Sequence, residues 1–240
     1  MPDPAGAARQ LLRIEDLHAW YGESHILHGM GFAVGEGEVV TLLGRNGAGK
    51  TTTLRAIMGI VPQRQGSVVF RGNQLVGLAS NRIARLGIAY CPEERGIFAS
   101  LDVEENLLLP PTVSPGGMTV DEIYAIFPNL KERRRSQGTK LSGGEQQMLA
   151  IGRILRTGAR LLLLDEPTEG LAPVIIQQIG RTIRALKQEG FTILLVEQNF
   201  RFASTVADRY FIMEHGRIVE GFVNSELDAN VEKLHDYLGV

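Results

Sequence analysis

Residues 44–51 read GRNGAGKT and match every defined position of the phosphate-binding loop pattern GxxxxGK(S/T). Such a loop lies between a strand and a helix, and the helix N-terminus adds its dipole to the anion site. The sequence supplies both elements, since the apolar run EVVTLLG ends at Gly44 and a helical pattern covers 50–59. The chain is therefore predicted to contain a strand–loop–helix unit that binds nucleotide phosphates; a chance glycine-rich turn is the alternative.

The residue types of this loop indicate their roles. Gly44, Gly47 and Gly49 allow the backbone to curl, so that several N–H groups point at one anion. We expect Lys50 to reach the β and γ phosphates and the Thr51 hydroxyl to ligate Mg²⁺. The predicted nucleotide-binding positions of the loop are Gly44, Arg45, Asn46, Gly47, Ala48, Gly49, Lys50, Thr51 and Thr52.

Two adjacent acidic residues end a second apolar run, LLLLDEP at 161–167. Asp165 stands where a carboxylate can hold Mg²⁺, directly or through water. Glu166 follows it and can polarise an attacking water as a general base. The alternative is an ordinary pair of surface acids at a strand end. Because the chain also contains a phosphate loop, this alternative is the weaker interpretation.

The segment LSGGEQQ at 141–147 predicts a second anion-binding helix start. Ser142, Gly143 and Gly144 offer a hydroxyl and unpaired backbone N–H groups. Glu145 lies three residues after Ser142, which is also the spacing of a capping box. Both roles are compatible, and a cap alone is the alternative.

Composition limits the remaining function classes. The 240 residues are 44% hydrophobic and 22% charged, as in ordinary globular proteins. The formal net charge of -2 gives no basic excess for nucleic acid. The lone Cys91 allows no disulfide within the chain, and no apolar run approaches the ~18–20 residues of a membrane span. The N-terminus lacks the pattern of a secretory signal, and residues 1–10 are expected to form a loose tail.

The order of patterns predicts the fold class. Strand patterns dominate residues 11–43, and further short ones follow at 67–70 and 87–91. After residue 140, helical patterns at 143–157 and 173–189 alternate with the buried strands ARLLLLD and FTILLVE, which favours a parallel sheet. We expect one α/β domain over residues 1–240, with a core from 36–91 and 155–220 and a helical insert at about 95–150.

On these motifs the chain resembles the ATP-binding subunits of ABC transporters over nearly its full length. The resemblance rests on GRNGAGKTT, PEERGIF, LSGGEQQ, LLLLDEPTEG and LLVEQN in that order. Within the family it looks most like the smaller ATPase of branched-chain amino acid importers (the LivF type), on CPEERGIFASLDVEENL, LSGGEQQMLAIGRIL and EGLAPVIIQQIG. The resemblance implies a P-loop NTPase core, an antiparallel N-terminal β subdomain and an inserted helical subdomain.

The resemblance also implies partners and ligands. Two ATPase chains would form a head-to-tail dimer around two ATP molecules with Mg²⁺, each ATP lying between one phosphate loop and residues 142–145 of the other chain. Tyr21 stands where the family stacks an aromatic ring on adenine; a strand-surface tyrosine is the alternative. Transmembrane permease subunits would hold the ATPases at the cytoplasmic face of the membrane, with no nucleic acid involved.

Three positions depart from the commonest family pattern. Glu93 stands where many members have a glutamine, Gln198 where most have a histidine, and Ala172 where an aspartate is usual. Glu93 could ligate Mg²⁺ but would repel phosphate, and Gln198 can hydrogen-bond phosphate but cannot carry imidazolium charge. We therefore expect a heterodimer with two unequal sites, in which Glu93, Glu166 and Gln198 are the catalytic residues. Neutral variation in a homodimer is the alternative.

Other functions in and near the family stay open at this stage. An ATPase of lipid or lipopolysaccharide export has a similar size and motif order. A non-transport ABC protein in cofactor assembly and a simple phosphotransferase are the remaining alternatives, and LSGGEQQ disfavours the latter. The cargo is expected to be branched-chain amino acids or related amides and carboxylates.

Overall fold

A computed structural model describes residues 9–239 of the chain. The expected loose tail at 1–10 lies almost entirely outside the described residues; within them, Gln10 already begins the first strand. The strands within residues 9–239 are β1 (Gln10–Tyr21), β2 (Ser24–Gly35), β3 (Val39–Leu43), β4 (Gln63–Phe70), β5 (Asn73–Gln74), β6 (Ile88–Cys91), β7 (Leu161–Asp165), β8 (Thr192–Glu197), β9 (Arg209–Glu214) and β10 (Arg217–Val223).

Helices fill the intervals between the strands. They are α1 (Lys50–Ile57), α2 (Ser80–Arg85), α3 (Val103–Leu108), α4 (Val120–Ile126), α5 (Pro128–Glu132), α6 (Gly143–Leu155), α7 (Pro173–Gln188), α8 (Phe200–Ala203) and α9 (Leu227–Leu238). Short 3-10 turns cover Gly138–Lys140 and Asn224–Glu226. None of the helices in residues 9–239 combines the length and apolar character that crossing a membrane requires.

The strands form two sheets. An antiparallel sheet has the order β2-β1-β4-β5, and a six-stranded sheet has the order β10-β9-β3-β8-β7-β6. In the larger sheet β9, β3, β8, β7 and β6 run parallel, and β10 adds antiparallel to β9 at one edge. The predicted α/β class, with a mainly parallel sheet and an antiparallel N-terminal sheet, is confirmed.

The larger sheet is buried on both faces because its central strands carry mostly apolar side chains on either side. Every residue of β3, β7 and β8 is buried. Leu162, Leu164, Ile193 and Leu195 face a cluster built with α6 and α7. Their neighbours along each strand face a second cluster, which includes α1 and the antiparallel sheet.

The elements between β6 and β7 are helical, where the insert was expected. Inside this stretch α6 presents Met148, Ile151, Ile154 and Leu155 as a buried stripe, following the predicted helical period. Helices α2 and α8 were not anticipated, since each is six residues or shorter and too brief to show a period.

Parallel pairing brings four strand ends to one edge of the sheet. Leu43 at the end of β3 pairs with Glu197 at the end of β8, and Asp165 at the end of β7 pairs with Val196. Strand β6 ends at Cys91 beside Leu164 of β7. The segments that follow these strands therefore meet, as they do at the ligand-binding edge of other open α/β sheets.

Candidate active site

The loop between β3 and α1 has a backbone conformation that favours glycine at two positions. Gly47 and Gly49 have positive φ angles of 81° and 104°, a region in which a side chain would be strained. A Cβ on Gly49 would also lie 2.8 Å from Met213 Cε. Helix α1 starts directly after Gly49 without a side-chain cap or an acidic residue in its first turn. Its N-terminus is therefore suited to an anion.

The hairpin between β9 and β10 packs against this loop. The Gly216 N–H donates to the Ala48 carbonyl at 2.9 Å. A Cβ on Gly44 would lie 2.5 Å from the Met213 carbonyl oxygen. Gly44 is therefore required by close approach of two backbones, which the motif alone does not reveal.

The Lys50 ammonium lies inside the loop that precedes it. Its Nζ donates to the carbonyls of Gly44 at 2.9 Å and Arg45 at 3.2 Å, and pairs with Glu166 Oε1 at 3.0 Å. Lys50 is 4% exposed and Glu166 7%. Because an unpaired buried charge is costly, Lys50 and Glu166 stabilise each other as an ion pair.

Both oxygens of the buried Asp165 carboxylate are held. The Thr51 hydroxyl donates to Oδ1 at 3.0 Å, and the Tyr90 hydroxyl donates to Oδ2 at 2.8 Å. Burial raises the pKa of Asp165, and the charges of Glu166 and Glu93 add to this against the two hydrogen bonds. Sequence reasoning missed Tyr90, whose only signal was a phenol near the end of a strand that leads to the site.

Glu166 is oriented by its neighbours. It has a positive φ of 44°, and the Gln198 amide donates to its Oε2 at 2.8 Å. Burial acts to raise the pKa of Glu166, but hydrogen bonds with Glu169, Gln198 and Lys50 and the Lys50 charge lower it. The carboxylate is consequently ionised at neutral pH and can accept a proton.

Glu169 was not anticipated by sequence reasoning. A hydrogen bond with Glu166, followed by partial burial and the charges of Glu166 and Glu93, raises the pKa of Glu169 to about 7. The protonation of Glu169 therefore depends on the charge of Glu166, the predicted base.

A cleft of about 470 Å³ opens beside these groups. Tyr21, 43% exposed, stands on its wall near the apolar Ile26. The exposed Glu93 lines it as well. The lining residues are Tyr21, Ile26, Asn46, Gly47, Gly49, Lys50, Thr51, Thr52, Glu93, Glu166 and Glu169. Half of the predicted site residues therefore line one cavity, and Asp165 and Gln198 contact it through Thr51 and Glu166.

Residues 142–145 lie elsewhere, at the start of α6. The Glu145 N–H donates to Ser142 Oγ at 3.3 Å, and the Ser142 N–H donates to Glu145 Oε2 at 2.7 Å. This is the predicted capping box. Gly144 is buried against α7, where an added Cβ would be 2.9 Å from Ile175. Ser142 itself is exposed, and within residues 9–239 this segment is not part of the cleft lining.

The donors at the cleft suit a hard divalent cation. Thr51 Oγ1 and Asp165 Oδ1 are oxygen atoms 3.0 Å apart, and oxygen is the ligand that Mg²⁺ prefers. In the described part of the chain, no group of three or more His, Cys, Asp or Glu side chains is arranged to hold a metal. A cation here would thus have few protein ligands, as Mg²⁺ has beside nucleotide phosphates.

Comparison with known proteins gives consistent matches along the chain. The ABC transporter family model matches residues 27–169. The chain is 44% identical to the high-affinity branched-chain amino acid transport ATP-binding protein BraG of Pseudomonas aeruginosa, covering 95% of this chain and 100% of BraG. It is 36% identical to the probable branched-chain amino acid transport ATP-binding protein LivF of Archaeoglobus fulgidus, over 93% and 98% of the two chains.

Two further similarities bear on the alternatives. The lipopolysaccharide export system ATP-binding protein LptB of Escherichia coli is 32% identical, over 95% of this chain and 97% of LptB. A solved structure of an ATP-binding subunit of an ABC transporter superposes with a TM-score of 0.80 at 27% identity, covering 96% of this chain and all of that one.

Proposed function

The chain belongs to the ABC transporter family as one of its ATP-hydrolysing subunits, and from that premise we propose that it energises a membrane importer. The proposed cargo is branched-chain amino acids or related small amides and carboxylates. The observation that carries this proposal is 44% identity along the whole of BraG, whose name describes transport of branched-chain amino acids. The lower identity to LptB, at 32%, makes export of lipopolysaccharide the second candidate.

ATP is proposed to lie in the cleft of about 470 Å³, with its phosphates on the N-terminus of α1 and adenine against Tyr21. The phosphate-binding residues would be 44–52, as the motif predicts. Thr51 and Asp165 would hold Mg²⁺, with Glu93 on the cleft wall as a third oxygen ligand. Bound Mg²⁺ would neutralise negative charge on the phosphate oxygens.

The hydrolytic chemistry is proposed to centre on Glu166. Its ionised carboxylate would accept a proton from the attacking water, while the Gln198 amide holds Oε2 and limits rotation of the carboxylate. Lys50 would turn its ammonium from Glu166 toward phosphate oxygens, since both anions compete for the same Nζ. Loss of this ion pair would make Glu166 a stronger base at the moment ATP is bound.

The dimer is proposed to complete the site. Ser142 is exposed and, with the N-terminus of α6, is not part of the cleft lining in its own chain, so these groups would contact the ATP held by a second ATPase chain. Glu93 and Gln198 support an unequal heterodimer rather than a homodimer. Permease subunits would hold the pair at the cytoplasmic face of the membrane. ATP would bind the closed dimer more tightly than the open one, so ATP binding would close the dimer and move the permease subunits.

Turnover of ATP tests this assignment. The purified chain would be assayed alone, with the ATPase subunit encoded beside it, and with that subunit after the change Glu166→Gln in this chain. We expect weak activity alone, strong activity in the mixture and a large loss with Glu166→Gln. Full, cooperative activity of the chain alone would instead support a homodimer and favour the export function.

Transport separates the two cargoes. Reconstituted with its copurified permease subunits, the complex should move labelled leucine across a liposome membrane in an ATP-dependent way. Copurification with subunits that extract lipopolysaccharide, and no leucine uptake, would overturn the importer proposal.

A further inference from the structure

Glu197 is a buried carboxylate that the proposed reaction does not use. It is the last residue of β8 and is 2% exposed. Burial raises its pKa to about 7, against hydrogen bonds from Thr168 and Asn199. Burying a carboxylate costs free energy of folding unless hydrogen bonds replace its lost hydration. The partners of Glu197 therefore show what this residue contributes that an apolar side chain would not.

Its two oxygens connect two separate loops. The Thr168 hydroxyl donates to Oε1 at 2.8 Å, and the Asn199 backbone N–H donates to Oε2 at 3.2 Å. Thr168 lies in the loop that follows Glu166. Asn199 follows Gln198 and begins α8, where its side chain accepts from the Phe202 N–H. One carboxylate thus holds the segment that follows Glu166 and the segment that follows Gln198.

Those two residues depend on each other's position. Gln198 Nε2 lies 2.8 Å from Glu166 Oε2, a contact that a shift of about 1 Å in either loop would break. The sheet fixes the start of both loops through the pairing of β7 with β8, whose last backbone hydrogen bond runs from the Glu166 N–H to the Val196 carbonyl at 2.9 Å. Beyond that point Glu197 supplies a side-chain link between the loops.

We propose that Glu197 is a positioning residue for ATP hydrolysis, which holds Glu166 and Gln198 in register by tying together the loops that carry them. The inference rests on the proposed function, in that it concerns the same reaction. The side chain offers an oxygen to each of its two partners. A carboxamide could accept from the Asn199 N–H and donate to the Thr168 hydroxyl, so an apolar replacement is needed to remove both links.

The test compares Glu197→Leu, which removes both acceptors, and Thr168→Val in the full chain with its partner ATPase. Both changes should lower kcat about ten- to a hundredfold, with the KM for ATP changed less than about twofold, because the phosphate loop is untouched. Thr168→Ser keeps the hydroxyl and should keep kcat. The double variant should lose no more than the worse single one, since the two groups act as a unit.

Thr192→Val is the matched control. Thr192 is the first residue of β8, is equally buried and accepts a hydrogen bond from the Gly37 N–H at 2.8 Å. It should lower the melting temperature as Thr168→Val does and leave kcat unchanged. An equal fall in kcat for Thr192→Val, or kcat within twofold of wild type for folded Glu197→Leu and Thr168→Val, would overturn the inference.

Failure of the proposed function would look different. Unchanged hydrolysis in Glu166→Gln would remove the reaction that Glu197 is said to serve. If Glu166→Gln is inactive while the Glu197 and Thr168 variants turn over normally, the ATPase assignment stands and only the positioning role is lost.

Discussion

At the scale of single residues, the site is organised by competition for a few charged groups. Lys50 pairs with Glu166 and with two carbonyls of its own loop. Asp165 divides its oxygens between Thr51 and Tyr90. Each of these groups has a second proposed partner among phosphate, Mg²⁺ and water. The same side chains would therefore report on ligand binding and on catalysis.

Replacing Lys50 tests the phosphate loop. Lys50→Ala should reduce ATP affinity by at least about a hundredfold, because it removes a charge-assisted contact to phosphate. Calorimetry with Mg-ATP would measure this. Lys131→Ala, an exposed lysine on α5, is the control and should bind normally. Unchanged affinity in Lys50→Ala would mean that the loop does not bind nucleotide.

Replacing Gln198 tests the proposed inequality of the two sites. Gln198→His should raise ATP turnover severalfold in the mixed ATPase pair, because imidazole can carry positive charge beside the γ-phosphate. Gln188→His on exposed surface at the end of α7 should have no effect. An unchanged or lower rate would show that Gln198 is already a competent substitute.

The raised pKa of Glu197 predicts a pH-dependent stability. Its ordinary pKa of 4.5 rises to about 7 in the fold, so the folded chain binds this proton more tightly than the unfolded chain. The resulting stabilisation is present below pH ~4.5 and is lost as pH rises through ~7, a change of about 3 kcal/mol. Glu197→Gln should flatten this part of the pH profile.

Urea unfolding at pH 5, 6, 7 and 8 measures the effect. The difference between wild type and Glu197→Gln isolates this group from other carboxyls. Glu23→Gln, at an exposed turn, is the control and should keep the wild-type profile. Parallel profiles for wild type and Glu197→Gln would mean that Glu197 titrates alike in both states.

At the scale of elements, two of the helices that begin with a capping box differ in what surrounds it. Ser142 and Glu145 form a capping box at α6, and Thr119 and Glu122 form one at α4. Ser142 leads into two glycines and Thr119 does not. A capping role and an anion-binding role can therefore be separated by comparing the two.

Ser142→Ala and Thr119→Ala should each cost about 1 kcal/mol of stability, since each removes the acceptor of one backbone N–H. Only Ser142→Ala should also lower ATP turnover, if its hydroxyl contacts ATP held by the other chain. Chemical unfolding and turnover of the mixed pair measure the two effects. Equal turnover in both variants would leave Ser142 with the capping role alone.

At the scale of the whole molecule, one chain joins the phosphate loop, the acidic pair and Gln198 by direct contacts, but residues 142–145 are not part of the cleft lining. We expect Glu166→Gln to form a stable dimer when Mg-ATP is added, alone or with the partner ATPase, because ATP stays bound without hydrolysis. Light scattering after gel filtration would measure the mass. The double variant Glu166→Gln with Lys50→Ala is the control and should stay monomeric.

Failure of Glu166→Gln to associate in either mixture, with ATP bound, would contradict the sandwich arrangement. A phosphotransferase that works as a monomer would then fit better. Partial association that requires the partner ATPase would support the unequal heterodimer.

The sequence alone determined the parts of this protein that depend on near neighbours. The glycine conformations of the phosphate loop, the capping box of Ser142 and Glu145, and the buried strands at 161–165 and 192–197 follow from local backbone preference and apolar pattern. The α/β class and the family were predicted from these and are confirmed. The roles of the individual site residues stay predictions.

Only the tertiary structure decided which distant residues meet. Thr51 and Asp165 are 114 positions apart, Tyr90 and Asp165 are 75 apart, and Thr168 and Glu197 are 29 apart. These contacts depend on strand order β3-β8-β7-β6, which differs from chain order. No local pattern encodes it, because the order is set by how buried faces of separate elements pack together. Tyr90 and Glu197 entered the site for that reason.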